Sequence, residues 1–271
     1  TTAPSLPSLA LASDTGSSSS DGITTNGAIN ITGLETNATW QYSLNSGSSW
    51  TSGSGSSFTL NPGSYANGTI KVRQTDQAGN TSSVASLGSI AVDTTAPSLP
   101  SLALASDTGS SSSDGITTNG AINVTGVETN ATWQYSLNSG SSWTSGSGSS
   151  FTLNPGSYAS GAVKVRQTDQ AGNTSSVASL GSFTVDTTAP SAPSLALSSD
   201  TGSSSSDNIT TNGAINVAGV ETNATWQYSL NSGSSWTSGS GSSFTLNPGS
   251  YASGAVKVRQ TDQAGNTSSV A

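Results

Sequence analysis

The sequence predicts an all-β chain, built of tandem Greek-key β-sandwich domains set in an extended rod. Three observations lead there. The same local sequence recurs at Asp14, Asp107 and Asp200, a spacing of 93 residues. Within each unit apolar residues fall at every second place, and turn-forming residues break the runs at short intervals. The period divides the 271 residues into repeats at 1–93, 94–186 and 187–271, the third stopping eight residues short of the position that matches Asp93. Repeats 1 and 2 differ at seven positions, among them Ile31 against Val124 and Leu34 against Val127. The chain therefore reads as serial copies of one module, a monomeric fragment whose last strand is incomplete.

The elements of one repeat follow in order. Leu9 and Leu11 mark the first strand, Ile29 and Ile31 the second, and Trp40, Tyr42 and Leu44 the third. Phe58 and Leu60, then Ile70 and Val72, then Ile90 and Val92 mark three more. Alternation with period two puts one face of each strand in a core, with Lys71 and Arg73 outward beside Val72. Turn chemistry separates the strands at residues 14–22, 35–37, 45–47, 53–55, 61–63 and 77–80. No helical stripe appears. Six or seven short strands in about 93 residues suit an antiparallel sandwich of the immunoglobulin-like kind, typically about 100 residues. The segments 93–100 and 186–193 hold Pro97, Pro100, Pro190 and Pro193 and read as short, stiff linkers.

Composition narrows the chemistry. Hydrophobic residues make up 31% and charged residues 7% of the chain. That hydrophobic share is well below the roughly 45–50% of an ordinary domain, but the regular aromatics argue for folded modules. A net charge of −8 repels nucleic acid and anionic membrane surfaces. No apolar run reaches the roughly 20 residues that span a bilayer, so direct membrane insertion is not expected. Histidine, cysteine and methionine are absent, which removes imidazole bases, thiolates, Cys/His zinc sites and disulfides. Serine without a base has no route to nucleophilic catalysis. The chain is read as not an enzyme.

Lettering seven strands A to G places the AB loop, residues 14–24, at one pole, and the BC loop, 33–39, and FG loop, 75–80, at the other. Asp14, Asp21 and Asp93 of one repeat are then expected to face Glu128 and Asp169 of the next, and Asp107, Asp114 and Asp186 to face Glu221 and Asp262. Up to five carboxylates with no basic residue among them would repel unless a cation sat between them. Hard oxygen ligands in a polar loop suit calcium better than magnesium's strict octahedron. The competing reading makes each aspartate an Asx-turn former. Trp40, Tyr42, Trp50 and Tyr65 are read as core, against a sugar-stacking platform.

The ordered strings DTTAP, DTGSSSSDGIT, YSLNSGSSW and VRQTDQAGNTS resemble the bacterial immunoglobulin-like repeats of giant type I-secreted, RTX-type biofilm adhesins, and the match runs through every repeat. The resemblance implies an extracellular, bacterial cell-surface setting, repeats that extend a ligand-binding tip away from the cell, and calcium at the joints on Asp14, Asp21, Asp76, Asp93 and their equivalents, Asp200 and Asp207 included. Glu35 is added on geometry. The expected partners are neighbouring repeats of the same chain and calcium ions. The reading from another class is a carbohydrate- or protein-binding module; near-identity of all surfaces favours serial extension.

Overall fold

A computed structural model describes residues 2–271 and contains strands without helices. Contacts group the chain into two compact units, one of Thr1–Ser101, Val124–Gly148 and Lys164–Ala178, the other of Leu102–Asn123, Ser149–Val163 and Ser179–Ala271. The first unit holds repeat 1 entire, and the second holds repeat 3 entire.

Repeat 1 has ten short strands: β1 (Ser8–Leu11), β2 (Ile23–Thr24), β3 (Ala28–Thr32), β4 (Thr39–Ser43), β5 (Thr51–Ser52), β6 (Ser57–Thr59), β7 (Gly63–Tyr65), β8 (Lys71–Thr75), β9 (Ala85–Ser86) and β10 (Ile90–Val92). They form three sheets, ordered β1-β3-β6, β5-β4-β8-β9 and β2-β10-β7. Ten strands replace the expected six or seven because the first and last runs break and change sheet, and because Thr51–Ser52 and Gly63–Tyr65 add short strands on β4 and β10. The first apolar run ends at Leu11, and the chain regains a ladder only at Ile23–Thr24, which pairs parallel with β10. The last run pairs with β8 through β9 and then leaves it, so that β10 lies antiparallel to β7.

The alternating residues meet as anticipated. Ile29, Leu60, Ile70, Ile90 and Val92 form one buried cluster, and Ile31, Trp40 and Val72 a second. Tyr42 and Phe58 are only partly buried, stacked with ring centroids 4.4 Å apart at the edge of the second cluster. The ring of Trp40 is 4% exposed, and its indole nitrogen donates to Gly55 O at 2.9 Å. Gly53 makes room for it: a Cβ there would stand 2.1 Å from the ring. Trp50 packs outside the sheet beneath Arg73, whose guanidinium carbon lies 4.1 Å from the ring centroid while two of its nitrogens donate to Gln41 Oε1.

Sequence reading missed one core position. Gln74, Gln167 and Gln260 alternate inward with Val72, Val165 and Val258 and are fully buried or within 1% of it. In repeat 2 the Gln167 side chain donates to Ser98 O at 2.7 Å and Gly126 O at 2.9 Å, and accepts from the amide of Glu128 at 2.8 Å. A buried amide is stable only when its groups are paired, and here it bonds the linker and the BC loop to the sheet.

In the second unit, repeat 3 forms sheets from Ser194–Leu197, Ala214–Ala218 and Ser243–Thr245, and from Thr237–Ser238, Thr225–Ser229 and Lys257–Thr261. Its counterparts of β2 and β7 are not strands, and the 271 residues include no counterpart of β10, which pairs with both in repeat 1. Ile209 is accordingly 72% exposed.

Candidate functional site

The AB loop begins with an aspartate that closes it. Asp14 Oδ2 accepts from the amide of Gly22 at 3.0 Å, eight residues on. Asp107 and Asp200 do the same with Gly115 and Asn208, each at 2.9 Å. In all three repeats the other oxygen, Oδ1, is buried with no hydrogen-bond partner. Carboxylate oxygens are strong acceptors, and leaving one buried and unpaired is costly. A surface pocket in repeat 1 gathers Asp14 and Asp21 with Ser13, Ser19 and Ser20. These are hard oxygen donors, and the recurring orphan fits a small cation.

Other acidic residues are engaged locally. The carboxylates of Asp21, Asp114 and Asp207 accept from the amides two residues on, as do those of Asp93 and Asp186, the geometry of Asx turns. Asp76 accepts from the amides of Ala78 and Asn80 and from the Asn80 side chain. The Asn80 side-chain bond, more than the amide bonds, holds the Asp76 carboxyl below the usual value of 3.8. Asp169 and Asp262 accept from the amides of Gly172 and Asn173, and of Gly265 and Asn266.

Glu35 and Glu128 face their own incoming linkers: Glu35 Oε1 accepts from the amide of Ser5 at 3.1 Å, and Glu128 Oε1 from that of Ser98 at 2.9 Å. The amide of Glu221 donates to Gln260. Among the described residues no three Asp or Glu side chains converge on one point. The five-carboxylate convergence anticipated from the lettered strands is therefore not found. The turns explain it, because each carboxylate is drawn onto nearby backbone amides.

Of the loops expected to meet, AB and FG do, chiefly through hydrogen bonds to backbone carbonyls, while Glu128 of the BC loop bonds its own linker. Within the first unit, Thr15 Oγ1 donates to Ala171 O at 2.7 Å and the amide of Ser17 to Gln170 O at 3.2 Å. Gln170 Nε2 lies 3.4 Å from Asp21 Oδ2, and Asn173 Nδ2 donates to Asp93 O at 2.9 Å. Within the second unit the set repeats: Thr108 with Ala264 O at 2.8 Å, Ser110 with Gln263 O at 3.4 Å, Gln263 with Asp114 at 3.2 Å, and Asn266 with Asp186 O at 2.9 Å. The approach is close enough to require glycine. A Cβ on Gly16 would stand 2.1 Å from Gln170 O, and one on Gly172 would stand 3.1 Å from the Gly16 Cα.

Comparison with known proteins adds family and fold. No curated protein matches the chain. A solved structure of the FN1-FN3 domains of chicken CNTN1 is similar at 12% identity and a TM-score of 0.30, covering 99% of this chain and 97% of that one, a likeness too low to argue from. The bacterial Ig-like domain family matches residues 1–94 and again 95–187. With tandem matches over more than half its length and an all-β fold of repeated sheets, the chain belongs to the bacterial Ig-like domain family.

Proposed function

We propose that the chain is a run of structural extender domains from a bacterial cell-surface adhesin of the RTX type, acting outside the cell. Its repeats carry a distal ligand-binding region away from the surface for attachment or biofilm formation. The observation that carries this reading is the recurrence of one set of loop contacts, Thr15 to Ala171 and Thr108 to Ala264, between consecutive repeats. Identical joints made by near-identical modules suit length, whereas a receptor site needs only one copy. The aromatic rings support it too, since Trp40 is taken up by the core and Trp50 by Arg73. A carbohydrate platform would need such rings open.

Calcium is proposed as the resident ion. Asp14 and Asp21, with Asp107 and Asp114 and with Asp200 and Asp207, are the residues that would hold it, Asp14 Oδ1 and its equivalents being the oxygens without a partner. When bound, the ion supplies the positive charge that offsets paired carboxylates and orders the loop that makes the joint. Asp76, Asp93, Asp169, Asp186, Asp262, Glu128 and Glu221 have more distant roles in this reading. The orphan oxygen recurs in all three repeats, which supports a site built by each AB loop from its own residues.

The test is a calorimetric titration of calcium into the metal-free chain. Heat is expected in the range of about 10⁻⁴–10⁻³ M usual for extracellular modules. Replacing Asp14, Asp107 and Asp200 by Asn should abolish it. No heat, or heat unchanged in that variant, would remove calcium from the reading.

A further inference from the structure

Charge is sorted by place in every repeat. The 14 acidic residues lie in loops and linkers, while all six basic residues stand on one strand of each repeat, Lys71 and Arg73 in the first, Lys164 and Arg166 in the second, Lys257 and Arg259 in the third. On β8, Lys71 and Arg73 alternate outward with the buried Val72 and Gln74, and the strands of that sheet carry no acid. Register sets Gln41 and then Ser52 beside Arg73, and Ser86 beside Lys71. The face lies in the interior of each repeat and is made of the same strand residues in all three.

Neither cation is neutralised. Lys71 Nζ donates to Ser46 O at 3.0 Å, and Arg73 spends Nε and Nη2 on Gln41 Oε1 at 3.0 and 2.8 Å. These partners are uncharged, and among the described residues no carboxylate pairs with any of the six basic groups. The same bonds to Gln134 and Gln227, and the same seat over Trp143 and Trp236, hold Arg166 and Arg259. Each guanidinium is thus fixed in place with both N–H groups of Nη1 unused. At about 3.3 Å per residue Arg73 stands about 10 Å and Lys71 about 16 Å along the strand from Asp76, farther than the screening length of about 8 Å in physiological salt. The face is therefore locally positive on a chain of net charge −8.

We infer that this sheet face is a binding site for an acidic polysaccharide, with the Arg73 and Lys71 heads, and their counterparts in repeats 2 and 3, taking its carboxylate or sulfate groups. Charge complementarity selects an anion, and the surroundings select a sugar polymer. A protein partner needs an apolar anchor, yet Trp50 is covered by Arg73 and the flanking Ser52 and Ser86 are small and polar. Nucleic acid gains affinity with every phosphate neutralised, and two cations per repeat on an acidic chain give little. Sugar hydroxyls suit the serine and amide groups, while the anionic group meets a preset planar fork. The indole need not be open, because the guanidinium above it meets the ligand. The inference depends on neither calcium nor the extender reading.

The full chain, kept in chelator, is passed over immobilised dextran sulfate, polygalacturonate, neutral dextran, polyglutamate and duplex DNA. Retention is expected on the first two and should fall as salt rises. Lys71→Glu, Lys164→Glu and Lys257→Glu together should weaken it about tenfold or more, since like charges are set against each other. The matching Lys→Gln variant should lose about twofold to fivefold, the worth of exposed ion pairs, and guards against misfolding of the first. Lys→Arg at the same positions keeps the charge and should restore retention. Replacing Asp14, Asp107 and Asp200 by Asn should not weaken it, so the failure of calcium binding and the failure of this site are told apart. No retention on either acidic polysaccharide, retention that needs added calcium, retention unmoved in the folded Glu variant, or equal retention on polyglutamate or DNA would overturn the inference.

Discussion

Replacing Gln74, Gln167 and Gln260 together by Met tests how the linker is tied to the sandwich. Methionine keeps the length and the apolar stem of glutamine but neither donates nor accepts strongly. In repeat 2 the exchange removes two bonds to carbonyls, at Ser98 and Gly126, and one from the Glu128 amide, around a side chain that is fully buried. The three bonds are only partly buried at their backbone ends, so at about 1 kcal/mol net for each they are worth about 3 kcal/mol per repeat. Domains are held by only about 5–15 kcal/mol, which makes this a large share. Urea unfolding followed by tryptophan fluorescence reads it, and with a slope of about 1–3 kcal/mol per molar the midpoint should fall by about 1 M or more. Hydrogen exchange at the Glu128 amide should accelerate in step. A midpoint moved by under about 0.3 M at such slopes, with that amide as protected as before, would refute the reasoning.

Three further outcomes follow from the packing and the charges. Trp40→Ala should cost about 3–5 kcal/mol in denaturation, and a loss below about 1 kcal/mol would put the ring outside the core. Gly53→Ala should cost about 1–3 kcal/mol by overpacking against Trp40, whereas Gly88→Ala, where a Cβ meets nothing within 4 Å, should stay within about 0.5 kcal/mol. The Asp76 carboxyl, depressed first by its Asn80 side-chain bond, stabilises the fold above its ordinary value of 3.8, and this is lost as pH falls through the lower folded value. Asn80→Ala should therefore raise the Asp76 pKa toward 3.8 in an NMR titration and shrink the acid-side loss; an unmoved titration would show that the backbone amides alone set it.

Much of the architecture is local and so was legible along the chain. A period of 93 residues is visible wherever two copies can be laid side by side, and the alternation of Ile29 with Ile31 or Trp40 with Tyr42 follows from the pleat of a strand. Turn chemistry was legible for the same reason, since Asp21 and Asp93 bond amides only two residues away. Hence the all-β class, the core faces and the meeting of AB and FG loops could be read, and so could the fact that Trp40 is core. The splitting of the outer strands between sheets could not, because it depends on which ladder is open when the chain returns.

Tertiary structure decided the rest. Gln74 sits in a strand beside Arg73 and Thr75 with nothing in its composition to mark it as buried; only the folded linker and BC loop bring Ser5 O and Gly33 O to its amide. The acidic residues looked like one cluster in outline, yet carboxylates prefer the nearest amide donors, and each turn satisfies its own before a common centre can form. What remains unsatisfied is a single oxygen, Asp14 Oδ1, buried by its loop in every repeat. The joint itself rests on a Gly16 whose missing Cβ lets a carbonyl 156 residues further along approach its neighbour Thr15. Sequence determines what is written in near neighbours and repeats, while burial of a polar group and closeness of two backbones are properties of distance in space.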